Sequence, residues 1–173
     1  MAITVSILET NVFAALRAYI MGLVTLPVIR TPVNRAAMPL GDFIALSPAG
    51  MRRLETNTDS YPTITTKDML QPMEITIRVD CYGATACDSA RLIAATFRDE
   101  FAVDAFSASG FDIAPLHASE LTQMPLITGE DQYLERWTFE AVMQFNPITT
   151  VTSTSTSTPS VPNLIDVLTT YGA

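Results

Sequence analysis

The amino-acid sequence predicts a small α+β domain, and three stretches carry that prediction. Met73 to Gly83 alternates apolar and polar side chains with a period of two, which is typical of a strand buried on one face. Ala84 to Phe101 then repeats apolar residues at spacings of three and four, as in a helix that lies on a sheet. Tyr133 to Phe145 alternates again and predicts a second long strand. We expect these elements to form the nucleus of the fold.

The alternation also predicts which side chains of the two long strands are buried. The expected inward residues are Met73, Ile75, Ile77, Val79 and Cys81 on the first strand, and Trp137, Phe139, Ala141, Met143 and Phe145 on the second. If the strands are neighbours, the charges on the other face of the second strand can pair across them with Glu74, Arg78 or Asp80. Exposed pairs of this kind contribute only about 0–1 kcal/mol.

Two helices flank these strands in the predicted order. The first is capped by Thr10 or Asn11 and continues to about Leu23, close to Gly22. The second begins after Thr85, a plausible N-cap residue, with an aspartate in its first turn where the helix dipole favours negative charge. Between the first two prolines that follow the first helix, residues 28–30 predict a short edge strand.

Two long segments lack a clear core pattern. Ala49 to Leu70 is polar and rich in threonine, and its length favours an extended hairpin or arm that reaches away from the sheet. Glu120 to Gly129 predicts a second extended loop, with the apolar run Met124-Pro125-Leu126-Ile127 inside it. Segments of this kind are often functional.

The C-terminal part divides into two pieces, and the expected domain therefore spans residues 1–148. Residues 149–160 are a Ser/Thr-rich tract that cannot bury enough apolar surface to order itself, which predicts a linker. Residues 161–173 are apolar again and predict a peptide that docks onto a neighbouring molecule. The peptide folding back onto its own domain is an equally open alternative.

Composition narrows the function classes. The chain has 173 residues, 48% of them hydrophobic, which favours one domain with a real core. Its formal net charge is −8, so a basic patch that grips nucleic acid is not expected, although DNA could pass nearby. The two cysteines, Cys81 and Cys87, are expected to be reduced packing residues. No apolar run approaches the roughly 20 residues that span a bilayer, so no membrane contact is expected.

The sequence offers little chemistry. His117 is the only histidine, and a surface position is a better interpretation than a catalytic one. Cys81 and Cys87 are too far apart for a C-x2-C metal clasp, and no glycine-rich nucleotide motif occurs. We therefore expect no catalytic site, no metal and no cofactor, and interpret the chain as a subunit that assembles with others.

An ordered set of stretches resembles the neck or tail terminator proteins of tailed bacteriophages. The set consists of Met51-Arg52-Arg53-Leu54 with Thr56-Asn57, Ile75 to Gly83, Arg98-Asp99-Glu100, Gln123 to Ile127 with Gly129-Glu130, and Arg136-Trp137 running to Gln144-Phe145-Asn146-Pro147. No single motif is decisive, but the ordered set is fairly specific. The resemblance covers roughly residues 10–151 and leaves out the Ser/Thr tract and the last peptide.

The resemblance implies a fold and a function. The fold is α+β, with a small mixed, mostly antiparallel sheet flanked by two main helices and with long extended loops. Such proteins form a hexameric ring on the head-proximal end of the tail tube, end its polymerisation and receive the head-tail connector protein. DNA passes through the lumen without specific binding, and a sheath or collar protein is a further partner. They are not enzymes, and they belong to the tail or neck of the virion, assembled in the host cytoplasm.

Candidate interface residues follow from the two long segments and the last peptide. They are Arg52, Arg53, Tyr61, Met69 and Leu70 in the expected arm (residues 52–70), Met124, Leu126 and Ile127 in the second contact loop (residues 120–131), and Leu164, Ile165 and Leu168 in the C-terminal peptide. The alternatives are a head-completion or connector adaptor, another neck or collar component, a small cytoplasmic enzyme, and an α+β domain that simply oligomerises.

Overall fold

The computed structural model of the chain describes residues 2–31, 39–127 and 133–152. Over these residues the chain forms three α-helices, α1 (Glu9–Leu23), α2 (Ala86–Thr96) and α3 (Glu100–Ser107). It also forms twelve strands: β1 (Ala2–Val5), β2 (Val28–Arg30), β3 (Phe43–Arg53), β4 (Thr58–Thr63), β5 (Thr66–Leu70), β6 (Met73–Tyr82), β7 (Ile113–Ala118), β8 (Thr122–Gln123), β9 (Leu126–Ile127), β10 (Tyr133–Leu134), β11 (Arg136–Phe145) and β12 (Ile148–Thr152).

A central sheet carries the fold. Its strand order is β2-β3-β6-β11-β7, and β8 also pairs with β11. Only the β2–β3 pair among these is parallel; the others are antiparallel. The predicted α+β class with a mixed, mostly antiparallel sheet is confirmed, as is the short edge strand at residues 28–30.

The helices cover one face of the central sheet and enclose the core. The predicted inward residues of β6 and β11 all belong to this core, with Met73 and Trp137 at its partly buried margin. Tyr19 of α1 packs edge-on against Phe97, with ring centroids 5.7 Å apart, and its hydroxyl donates to the carbonyl of Ile93 at 3.0 Å. The two-residue alternation therefore predicts the helix-facing side chains of both long strands correctly. It does not predict that Asp80, Tyr82, Thr138 and Val142 on the other face are buried as well.

A second, smaller sheet has the order β1-β12-β5-β4, and every pair in it is antiparallel. It joins strands from the start, middle and end of the described chain. The hairpin β4–β5 turns at residues 64–65 and confirms the predicted hairpin in the threonine-rich segment. We refer to β1, β12, β5 and β4 together as the second sheet.

The predicted helix boundaries need two corrections. The single helix expected from Ala84 to Phe101 is wrong, because the chain forms α2 and then α3, and Asp99 caps α3 by accepting from the Glu100 amide at 2.7 Å. The first helix begins at Glu9, and its N-cap residue is Leu8, whereas Thr10 or Asn11 was expected. Asn11 lies inside it, and its Oδ1 accepts from the Leu8 amide at 2.8 Å.

The expected linker boundary is also corrected. Thr149 to Thr152 belong to β12, which pairs with β1 on one side and with β5 on the other. β-branched residues are well suited to strands, so Ile148–Thr152 forms a strand although the segment is polar. The folded part continues at least to Thr152, and the rest of the predicted linker and the predicted C-terminal peptide lie outside the described residues.

Candidate assembly surface

Among the described residues, nothing buries either face of the second sheet completely. Every residue of β1 and β4 is exposed, and every residue of β5 is half-buried. Isolated small sheets in water are marginal unless an apolar face packs against something. The second sheet is therefore the part of this molecule that most needs a partner.

Several exposed apolar side chains lie on or beside the second sheet. Ile3 is 61% exposed, Tyr61 is 69% exposed, and Ile64 at the hairpin turn is 88% exposed. Lys67 lies over the Tyr61 ring at 5.9 Å from its centroid and pairs with Asp59 at 2.7 Å. Together these side chains form a mixed apolar and charged surface, as protein–protein contacts commonly do.

The predicted arm residues do not all occupy the same environment. Arg52 and Arg53 end β3 and are exposed, and Arg52 is held by Glu74 on β6 through two bonds of 2.6 and 2.8 Å. Met69 and Leu70 lie in β5 and are half-buried. Tyr61, on the edge strand β4, is 69% exposed. Arg52 thus already has an intramolecular partner, while Tyr61 offers its ring to solvent.

The second predicted contact segment is partly drawn into the protein itself. Met124 is 50% exposed, whereas Leu126 is partly buried against a small cluster formed by Phe43, Ala45 and Tyr82. Ile127 pairs with Tyr133 in the short ladder between β9 and β10. Met124 therefore presents an apolar side chain to solvent, whereas Leu126 packs within its own copy.

The remaining candidates, Leu164, Ile165 and Leu168, lie outside the described residues, as does Asp131 at the end of the second contact loop. Their roles stay predictions. The structure supplies instead a surface that the sequence did not suggest, namely the edge of β1 that has no strand partner among the described residues. Its exposed residues Ala2–Val5 carry no charge. The signal for it was weak, since four residues are too few to show a period.

A charged cluster joins the central strands on the face opposite the helices. Asp80 is only 3% exposed and accepts from Arg136 Nε and Nη2 at 3.0 and 2.7 Å. Arg78 Nε approaches the second oxygen of Asp80 at 3.3 Å, so two guanidinium groups compensate one buried carboxylate. The predicted pairing across β6 and β11 is confirmed, and it fixes the register of these strands.

Aromatic rings complete this cluster. Tyr82 stacks on Phe43 with centroids 4.5 Å apart, and Arg136 lies 5.6 Å from the centre of the Tyr82 ring. Burial, with a smaller effect of the Asp80 charge, raises the pKa of the Tyr82 hydroxyl. A neutral phenol in such surroundings has a packing role.

A shallow recess lies between α1 and β2. Its volume is about 390 Å³, and its lining includes Phe13, Ala14, Ala18 and Met21. Arg30 at its rim pairs with Glu9 at 2.8 Å. The recess is open and mostly apolar, and it offers no convergent set of polar groups that would orient a small ligand.

The side chains singled out for chemistry lie apart. His117 is an exposed residue of β7, as predicted for a surface histidine, and no group of three metal-ligating residues occurs in the described ranges. Cys81 is buried in the core, and burial raises the pKa of its thiol to about 12, so it remains protonated at neutral pH. Cys87 is half-buried in the first turn of α2 and forms no disulfide with Cys81.

No described helix has the length and apolar character that crossing a membrane requires. Comparison with protein families is decisive for identity: the model of the phage neck terminator protein family matches residues 10–169. The chain belongs to this family. No curated protein matches it significantly.

Membership in the neck terminator family identifies the general role of the protein. The protein is a structural component of the bacteriophage neck, and it interacts there with other tail or head proteins. The family match continues to residue 169, so it includes the C-terminal stretch with Leu164, Ile165 and Leu168. The shared pattern is therefore longer than the resemblance over residues 10–151 suggested.

Proposed function

We propose that this neck terminator forms a hexameric ring on the head-proximal end of the tail tube, ends tube polymerisation and provides the docking surface for the head-tail connector. DNA passes through the lumen of the ring. The observation that carries the proposal is the family match over residues 10–169, together with the exposure of both outer strands of the second sheet in the described part of the chain. The role is structural, and we propose no catalytic activity and no cofactor.

Electrostatics supports passage of DNA without capture. The formal net charge of −8 repels the phosphate backbone, and a like charge along a channel prevents tight binding. One face of the second sheet carries the hydroxyl side chains of Thr4, Ser60 and Thr150 together with Asp68, and Thr150 donates to Asp68 at 2.6 Å. These residues carry no positive charge that would hold a phosphate.

The tail length of a phage that lacks this gene tests the proposal. Overlong or ragged headless tails beside DNA-filled heads are the expected result, because nothing would stop growth of the tube. Tails of normal length beside empty or leaking heads would assign the protein to the head connector instead. Intact, infectious particles would contradict a role in the neck.

A C-terminal deletion tests the proposed docking of the last peptide on a neighbouring subunit, a collar protein or a sheath protein. The deletion starts at residue 153, because Thr152 pairs with Ala2 and Thr66 in the second sheet. We expect the shortened protein to unfold at the same urea concentration as the full chain but to be incorporated into tails less efficiently. A shortened protein that fails to fold would contradict docking on a partner.

A further inference from the structure

Both outer strands of the second sheet have a side without a strand partner in the described structure. β12 and β5 lie inside the sheet, and β1 and β4 form its edges. An unpaired edge is a template for another strand, and proteins usually blunt such edges with lysine, proline or a bulge. β1 has none of these, and in β4 the irregular pairing and Pro62 come only after Ser60.

The hydrogen bonds next to the sheet show which backbone groups the β1 edge presents. The Ser6 amide donates to the Ile148 carbonyl at 3.0 Å, so this pair is hydrogen-bonded. Hydrogen-bonded and non-hydrogen-bonded pairs alternate along an antiparallel ladder. Thr4 therefore directs its N–H and C=O towards β12, and Ile3 and Val5 direct theirs towards the open side.

The same argument fixes the β4 edge. The Gln71 amide donates to the Pro147 carbonyl at 3.1 Å, so Met69 and Gln71 face β12 while Asp68 faces β4. Asp68 lies opposite Ser60, which makes Ser60 the inward residue of β4. Asp59 and Tyr61 on either side of it then direct their N–H and C=O groups outward.

We propose that the β1 edge of one copy pairs with the β4 edge of the next copy, with Ile3 opposite Tyr61 and Val5 opposite Asp59. The proposal rests on the ring proposed above and names the surfaces that close it. Each of these two pairs can exchange two hydrogen bonds, which satisfies the outward groups of both edges. The partner is a second copy of this chain.

Strand direction fits this contact. The four strands of the second sheet alternate in direction, so β1 and β4 run opposite ways. The copies of a ring are related by rotation, so every β1 has the same direction relative to the ring axis and every β4 has the opposite direction. A β4 that lies beside the β1 of the next copy is therefore antiparallel to it. The contact joins two different surfaces, as a ring that closes by rotation requires.

Side chains fit it as well. Ile3 lies opposite Val151, and Val151 lies opposite Lys67, which contacts the Tyr61 ring on the same face. Pairing Ile3 of one copy with Tyr61 of the next extends this row and covers two of the most exposed apolar side chains of the sheet. On the other face, Thr4 and Ser60 become a non-hydrogen-bonded pair.

Disulfide trapping tests the contact on the full chain. Opposite residues of a non-hydrogen-bonded pair have Cα atoms about 4.5 Å apart, within the range that a disulfide bridges. The variant carries Thr4→Cys and Ser60→Cys, with Cys87→Ser to remove the half-buried native thiol; Cys81 is buried and stays. Oxidation of assembled rings or tails should give a ladder of covalent oligomers on a non-reducing gel.

The single variants are the matched controls, because each copy then carries one reactive edge only. Thr4→Cys alone and Ser60→Cys alone should stay monomeric after oxidation. Dimers from either single variant would mean that like edges pair about a two-fold axis, and would overturn the proposal. Thr58→Cys lies on the same face as Ser60, two residues along β4, and cross-linking to it in place of Ser60→Cys would overturn the register.

The outcomes also separate this inference from the proposed function. Rings that end tube growth but give no ladder would overturn the edge pairing alone. A ladder from a protein whose loss leaves tail length unchanged would support the pairing and overturn the terminator role.

Discussion

The central sheet and the second sheet are both largely antiparallel, but they differ in what they bury. In β6, Ile75, Ile77 and Val79 are at most 1% exposed because α2 and its neighbours cover them. In β1 and β4 every residue is exposed. The central sheet is therefore stabilised within one copy, whereas we propose that the second sheet gains further burial when copies assemble.

The residue types of the two sheets account for this difference in burial. β11 supplies Trp137, Phe139 and Met143 to the core, and burial of such side chains contributes about 1.5–3 kcal/mol each. β4 and β12 are built largely from threonine, serine and aspartate. These residues form strands but bury little apolar surface, so the two sheets have separate sources of stability.

Truncating one aromatic residue in each sheet gives the largest contrast. Phe139→Ala should lower the free energy of unfolding by about 3–5 kcal/mol, because it leaves a cavity in the core. Tyr61→Ala should change it by no more than about 0.5 kcal/mol, because the ring is 69% exposed. Urea unfolding of the two variants measures both values.

Ring assembly should depend on Tyr61, although the free energy of unfolding of one copy should not. Tyr61→Ala should weaken ring formation, and gel filtration or electron microscopy of assembled tails measures it. If Tyr61→Ala unfolded the free protein as strongly as Phe139→Ala, the second sheet would be part of the same cooperative core and the contrast between the sheets would fail.

A pair of glycine substitutions compares the surroundings of the buried start of β3 with the exposed second half of that strand. Gly83 has a φ of 103° and ends β6; an added Cβ would collide with the side chain and Cα of Asp42 just before β3. Gly83→Ala should therefore cost about 2–3 kcal/mol of unfolding free energy, from backbone strain and the clash.

Gly50 is the matched control, in the exposed half of β3 that leads towards the second sheet. A Cβ there meets no atom of the described structure within 4 Å. Gly50→Ala should change the free energy of unfolding by about 0.5 kcal/mol or less. Equal losses from the two substitutions would show that the exposed half of β3 is as tightly constrained as the buried half.

Periodicity was sufficient for the central strands because each buries one face against helices. The alternation of Ile75, Ile77 and Val79 is a direct consequence of that burial, so the sequence predicts both the strand and its orientation. The break between α2 and α3 was harder to predict, since Phe97 and Phe101 keep helical spacing across it. Only the capping aspartate Asp99 marks the boundary.

The second sheet was largely beyond sequence reasoning for a physical reason. Its strands come from residues 2–5, 58–70 and 148–152, and pairing between segments so far apart leaves no local pattern. The hairpin could be predicted from length and composition. β12 has the threonine-rich composition of a linker, and only its pairing with β1 and β5 shows that it is a strand. The contact residues of an assembly surface depend on the partner as well, so the sequence predicts Tyr61 as a contact residue but not the β1 edge that we propose as its partner.

The smallest expected contrast between the two regions concerns one carboxylate at the junction of the central sheet and α2. Asp42 accepts from Thr85 Oγ1 at 2.6 Å and from the Thr85 and Ala84 amides at 3.0 and 3.1 Å. The bond from the Thr85 hydroxyl, followed by the bond from its amide, lowers the pKa of Asp42 below its usual 3.8. Thr85 thus uses its hydroxyl on Asp42 instead of capping α2.

Because this pKa is lower in the folded protein than in the unfolded chain, the stabilisation is fully present above pH 3.8 and is lost as the pH falls through the depressed folded value. Asp42→Asn should cost about 1 kcal/mol at neutral pH and lose that deficit in acid. Asp59→Asn in the second sheet removes only an exposed pair with Lys67 and should cost about 0–1 kcal/mol. Urea unfolding of both variants at neutral and acid pH distinguishes them, and a deficit of Asp42→Asn that persisted below the folded pKa would show that packing, not charge, holds this junction.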